Sequence, residues 1–184
     1  MSSPALSPAR LAIESAAIFL SVFLAFAADQ WRDDANDRKR ANAALTLVRV
    51  ELEQNLAELE AVTSSRQTTL DDYIAALDTL VEDNVFPETI PFISFPAITT
   101  IAYELATDSG SVTTVDPADL IVIARAYGAL NDVRRNEAFL DNRNAQIRYR
   151  DGEQYISGFI YYTNRAMTAE PEAIKHVRAA LAVL

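Results

Sequence analysis

The chain has 184 residues, half of them apolar, with 26 acidic and 16 basic side chains and a net charge of −10. That length holds one domain with an ordinary core. The acidic balance argues against nucleic acid, whose binding rests on phosphate neutralisation. The absence of cysteine excludes disulfides, thiolate chemistry and Cys/His zinc sites.

After a tail of residues 1–10, Leu11 to Ala28 reads LAIESAAIFLSVFLAFAA, eighteen residues whose only charge is Glu14. A bilayer span needs about 20 apolar residues, so the run is slightly short. It reads as a buried core helix, a cleaved signal peptide or an uncleaved anchor. Ala25-Phe26-Ala27 before Ala28 has the small-x-small form of a cleavage site. Against cleavage stand the single basic residue Arg10 ahead of the run and Glu14 within it. Trp31 and Arg32 follow where an interfacial anchor belongs. The reading preferred is a transmembrane anchor over residues 11–31 and an extramembrane domain over 32–184.

Within the anchor, an ionisable group is a functional-site hypothesis. On a helix Glu14 shares a stripe with Ala17, Ser21 and Ala25, small residues that let a second helix approach. The expectation is a packing seam with Glu14 hydrogen-bonded to a partner. The competing reading puts Glu14 at the headgroups and ascribes the small residues to an alanine-rich composition. Asp29, Asp33 and Asp37 also share a helix face, but a straight helix offers carboxylates in a row rather than converging on a metal. No metal or other cofactor is expected.

No Gly or Pro interrupts the chain between Ala9 and Val85, so the anchor is expected to run on into a long helix. Leu45, Val48, Leu52, Leu56 and Leu59 recur at spacings of three and four along one face. A second stripe holds Leu70, Tyr73, Ile74, Leu77, Leu80 and Val81, after a turn placed near Ser64 to Thr68. Asn84 to Pro96 carries three prolines, each biasing its predecessor away from helix, among residues too apolar for a solvated linker. It predicts an extended strap across the helices. A short helix over about Ala97 to Thr107 should end at Asp108-Ser109-Gly110, with Gly110 left-handed. Asp116-Pro117 then opens a helix bearing Leu120, Ile123, Ala124, Tyr127 and Leu130 and continuing to about Arg150. Two shorter helices, Glu153 to Met167 and Pro171 to Val183, complete an all-α fold. The architecture is one N-terminal transmembrane helix leading into a small antiparallel helical bundle crossed by a Pro-rich strap.

Glu14, the apolar run, Asp29 and Trp31 resemble the N-terminal signature of a family of bacterial single-pass membrane proteins. Its members have a Glu entering the span, [Asn/Asp]-x-Trp at the far end and a charged helix beyond. Tyr103-Glu104-Leu105, Ser109-Gly110, Leu120 and Tyr127 are similar to its aromatic-Glu-Leu, Ser-Gly turn and following Leu…Tyr helix. The family carries no assigned activity, so the resemblance implies architecture and a place in the bacterial inner membrane. Orientation is read two ways. Arg32, Arg38, Lys39 and Arg40 outnumber Arg10, which places the domain in the cytoplasm by the positive-inside rule. The family's basic N-terminal tails imply export instead, and the periplasmic side is the one adopted.

Residues 51–83 hold nine acidic side chains against Arg66, a balance of −8, while residues 133–150 hold five arginines against two acids, a balance of +3. Arg134, Arg135, Arg143, Arg148 and Arg150 are thus a candidate docking patch, or a basic helix lying beside acidic ones. No P-loop, dinucleotide fingerprint, HExxH or nucleophile elbow occurs. A histidine-based triad would have to use His176. Nothing selects one carboxylate pair among 26 for acid–base work. The function expected is therefore non-enzymatic: a membrane-anchored interaction protein that forms a homo-oligomer or serves as accessory subunit to other membrane proteins. Its alternative is a ligand-binding, sensor-like bundle with a pocket near the strap and Tyr103 or Tyr127, signalling through a partner.

Overall fold

The computed structural model describes residues 8–83, 85, 93–146 and 152–184, with residues 8–17 and 140–146 described by their backbone alone. All regular structure among these residues is helical: α1 Pro8–Thr63, α2 Arg66–Asp83, α3 Ile101–Asp108, α4 Pro117–Gln146 and α5 Gly152–Val183. The all-α expectation holds. The long N-terminal helix is likewise unbroken from Pro8, about 84 Å of it at 1.5 Å per residue. Among the described residues no helix is long and apolar enough to cross a membrane. The first part of the apolar run, Leu11 to Ala17, belongs to the stretch whose side chains are not described.

α5 is the spine, about 48 Å long. Its C-terminal half lies along α1, where Thr63 meets Glu170 and Leu184 lies beside Asn42 and Leu45. Its N-terminal half lies along α2, where Arg66 meets Glu170 and Tyr73 stacks on Phe159. Both α1 and α2 therefore run antiparallel to α5. The break between them changes the partner surface without reversing the chain. It is shorter than the expected turn, only Ser64 and Ser65. Their hydroxyls bond the carbonyls of Ala61 and Val62, the local competition by which serine ends a helix.

Two apolar clusters follow from this layout. One gathers Val48, Leu52 and Leu59 of α1, Ala106 of α3, Ile123, Tyr127 and Leu130 of α4, and Ala173 and Val177 of α5. The other joins Tyr73 and Ala76 of α2, Ile93 of the strap, and Ile156, Phe159 and Tyr162 of α5. The α1 and α4 stripes read from sequence largely face the first cluster, although Ala124 is exposed. On α2, Ile74 and Val81 point to solvent while Ala76 is buried in their place.

Three boundaries differ from expectation. The C-terminal region is one helix with Pro171 inside it, not two. Proline removes one backbone bond at a cost of about 3 kcal/mol. The helix nevertheless buries an apolar face on both sides of Pro171, against α2 before it and α1 after it, and that burial outweighs the lost bond. α3 begins at Ile101, later than Ala97, because α1 takes up backbone groups of residues 97 and 99 and keeps this stretch out of the helix. α4 is described to Gln146, so its expected end near Arg150 lies outside the described residues. Residue 84 and residues 86–92 of the predicted strap also lie outside them, whereas Ile93 to Pro96 is non-helical, as a strap requires. Gly110 adopts φ +67°, and the Ser111 N–H reaches back to the Ala106 carbonyl to close α3. Asp116 caps α4 through its carboxylate, which accepts the Ala118 N–H at 2.7 Å.

Candidate functional site

The first buried side chain described on α1 is Ala41. From Ile18 to Arg40, about 35 Å of helix, every side chain is exposed apart from the half-buried Ala35. This segment has two parts. Ile18, Phe19, Leu20, Val22, Phe23, Leu24 and Phe26 are large apolar groups left uncovered, Phe19 at 77 % and Phe26 at 71 % exposure. At 100° per residue they spread over about 240° of the circumference, and Ser21 and Ala25 fall in the remaining arc. A helix apolar over most of its circumference requires apolar surroundings on most sides, and a continuous apolar surface of this kind marks an interaction site. Trp31, 77 % exposed, separates it from a charged collar of residues 32–40, in which Asp37 pairs with Arg40 at 3.6 Å.

Of the residues singled out in sequence, Ser21 and Ala25 sit one helical turn apart on this exposed segment, and Trp31 and Arg32 stand at its end. Glu14 and Ala17 belong to the stretch without described side chains. Among the described residues no cluster of His, Asp or Glu is arranged to hold a metal ion. Of the arginine patch, the side chains of Arg134 and Arg135 are described, and both are exposed on α4. Arg134 turns toward the strap and donates to the Thr100 hydroxyl at 3.4 Å. Arg135 pairs with Asp132 on α4 itself. The side chains of Arg143, Arg148 and Arg150 lie outside the description.

Sequence reasoning missed the polar machinery that fixes the bundle. Glu51, Asn55 and Glu58 form a row on α1 at the same three- and four-residue spacing as the apolar stripe. The Asn55 amide pairs with both backbone groups of Thr99, donating to its carbonyl at 2.8 Å and accepting its N–H at 2.9 Å. Glu58 accepts the Ala97 N–H at 3.4 Å. Glu51, only 6 % exposed, accepts the backbone N–H groups of Ala102 at 2.8 Å and Tyr103 at 3.3 Å. Those are the free donors at the start of α3, and the helix's own Thr100 supplies no side-chain cap. α1 thus caps α3 with a carboxylate, the sign that a helix N-terminus favours.

The same carboxylate receives the Tyr127 hydroxyl at 2.6 Å and the Thr99 hydroxyl at 3.2 Å. Tyr127 stacks on Tyr103 with ring centroids 4.1 Å apart. Burial, with Glu51 beside it, pushes the Tyr127 phenol well above its ordinary value. The rings expected to flank a ligand, Tyr103 and Tyr127, thus pack on each other.

A second buried polar centre lies where α1 breaks. The Arg66 guanidinium and the Glu170 carboxylate are 2 % and 0 % exposed. Nε of Arg66 donates to both carboxylate oxygens at 3.0 Å, Nη2 donates to one of them, and the Thr63 hydroxyl adds a bond at 3.1 Å. The guanidinium also lies 5.8 Å from the Tyr162 ring centre. Burial, with Tyr155 adding to it and Arg66 opposing, raises the neighbouring Tyr73 phenol well above its usual range. Removing either ion would strand the other in a dry environment. The arrangement reads as structural: it joins the α1–α2 break to the middle of the spine.

An open groove of about 720 Å³ runs between α4 and α5. Asp132, Arg135 and Asn136 line it from α4, with Asn164, Arg165 and Thr168 from α5. No protein-family model, curated protein or solved structure matches the chain.

Proposed function

We propose that the chain is a non-enzymatic, single-pass membrane protein whose helical domain makes contacts for a larger assembly, by self-association or as an accessory subunit. The observation that carries this is the uncovered apolar surface, over about two thirds of the circumference, from Ile18 to Phe26 on a helix whose other end is built into the bundle core. Exposing that many aromatic and aliphatic groups to water is unfavourable by roughly 1.5–3 kcal/mol per large side chain, and a bilayer removes the cost. The charged collar and Trp31 supply a polar boundary of the kind found at a membrane surface. The resemblance carried by Glu14, Asp29 and Trp31 favours the same reading, with the bacterial inner membrane as the location and the domain on its periplasmic side.

Expression of the full chain in a bacterium tests this directly. The protein should sediment with membranes, resist alkaline carbonate and dissolve in detergent, and deletion of residues 1–31 should release it. Recovery of the intact chain in the soluble fraction would defeat the proposal. Because the sequence contains no cysteine, Thr68→Cys provides a unique thiol. A membrane-impermeant maleimide applied to cells with a permeabilised outer membrane should label it; protection until lysis would put the domain in the cytoplasm. Crosslinking followed by mass measurement in detergent should yield a discrete complex. Ser21→Leu should weaken self-association in a membrane two-hybrid assay, and an unchanged signal would remove the seam. A ligand-binding reading is favoured by one observation, the α4–α5 groove.

A further inference from the structure

The groove between α4 and α5 contains two polar groups whose bonding capacity the bundle leaves unused. Asn136 is 6 % exposed as a residue; among the described residues its carboxamide makes no hydrogen bond to the protein, and its amide atoms are open to the groove rather than enclosed. An amide facing an open groove keeps its donor and acceptor available to water or to a ligand. Arg165, on the facing helix, lies 5.9 Å from the Phe139 ring centre and 5.7 Å from that of Tyr161, and donates to the Tyr161 hydroxyl at 3.4 Å. Among the described residues it has no carboxylate partner. The other charged groups of the groove do: Arg135 pairs with Asp132, and Glu172 with Lys175.

An aromatic-backed guanidinium is a pre-set fork for a planar anion, and the Asn136 amide can donate one bond and accept another. Ala129 and Ala169 are the small residues of the groove lining and leave room for an apolar body beside the two polar groups. The volume lies within the range of small-molecule sites.

We infer that this groove binds a small organic carboxylate, its anionic end held by Arg165 and Asn136. The inference does not depend on membrane attachment. Acetate, succinate and benzoate are the probes, with benzamide as the uncharged counterpart of benzoate. Each is titrated to millimolar concentration into the isotopically labelled full chain in detergent micelles. The Asn136 side-chain amide signals, identified by their loss in Asn136→Ala, are followed by NMR. At least one carboxylate should shift them saturably, benzamide should not, and Arg165→Gln should weaken binding by about tenfold.

No saturable shift with any carboxylate, equal binding of benzamide, or undiminished binding by Arg165→Gln would each overturn the inference. Thermal unfolding of Asn136→Leu gives a readout separate from affinity. A groove asparagine kept for a ligand is replaced by leucine with an unchanged or raised melting temperature and lost binding. A lowered melting temperature with binding retained assigns Asn136 to the framework and overturns its role.

Discussion

Glu51 on α1 and Tyr127 on α4 meet at 2.6 Å inside the bundle, and the same carboxylate holds the first backbone donors of α3. Three helices thus share one carboxylate. Glu51→Ala would leave two amide donors and a buried hydroxyl without their acceptor, and is expected to cost about 3 kcal/mol. Glu51→Gln keeps an acceptor oxygen and should cost about 1 kcal/mol. Urea unfolding followed by circular dichroism measures both. Equal effects of the two substitutions would refute the capping role.

Alkaline stability follows from the same contact. The folded state holds the Tyr127 phenol above its ordinary value, whereas the unfolded chain ionises it near pH 10. Above that pH the unfolded state binds fewer protons than the folded one, so stability must fall as pH rises toward the folded-state value. Tyr127→Phe removes this contribution. It should be less stable than the parent by about 1 kcal/mol at neutral pH and should show a shallower loss in alkali. Parallel stability–pH curves would contradict the linkage.

Arg66 and Glu170 should be costly to remove singly and inexpensive to replace together. Arg66→Ala or Glu170→Ala strands a buried charge and is expected to lower stability by about 3–5 kcal/mol. The double replacement Arg66→Met with Glu170→Met fills similar volume without charge and should recover most of that loss. A double-mutant cycle by denaturant unfolding decides the point, since additive losses would mean the ions do not depend on each other.

Gly110 offers a test of backbone conformation without packing. An added Cβ would meet only the Thr113 methyl at 3.9 Å, an ordinary contact, so the positive φ alone sets the penalty. Gly110→Ala should destabilise by about 1 kcal/mol and Gly110→Asn by less, because asparagine tolerates the left-handed region. A thermal melt that ranks asparagine below alanine would overturn this account.

The helical fold was legible in sequence because the signals were local: periodic leucines on α1, the Asp116-Pro117 start of α4, Gly110 after α3, and the uninterrupted stretch that became the rest of α1 and α2. Misread boundaries were those where tertiary contact overrode local preference. Pro171 reads as a helix start, but burial against two successive partners carries α5 through it. Residues 97–100 could have begun α3, but the Asn55 amide occupies both backbone groups of Thr99 and keeps it out of the helix. The polar row Glu51, Asn55 and Glu58 was hidden for a different reason. Charged residues on a helix are ordinarily solvated, and only the returning strap turns these inward. Their spacing was the available signal. Glu170, set among Ala166, Ala169 and Ala173, was another, since small residues around an acid suggest a crowded face. Nothing comparable announced Asn136 and Arg165, which line one groove only because α4 and α5 lie side by side.

The unbroken course of α1 has a geometric consequence. With 3.6 residues per turn, each residue inserted or deleted between 32 and 40 would swing the whole bundle by about 100° around the helix axis relative to the apolar segment. Four inserted residues would nearly restore the original heading and lift the bundle by about 6 Å. Which flank of the domain looks toward a neighbour is thus encoded by counting, in a stretch of charged residues that no core contact constrains.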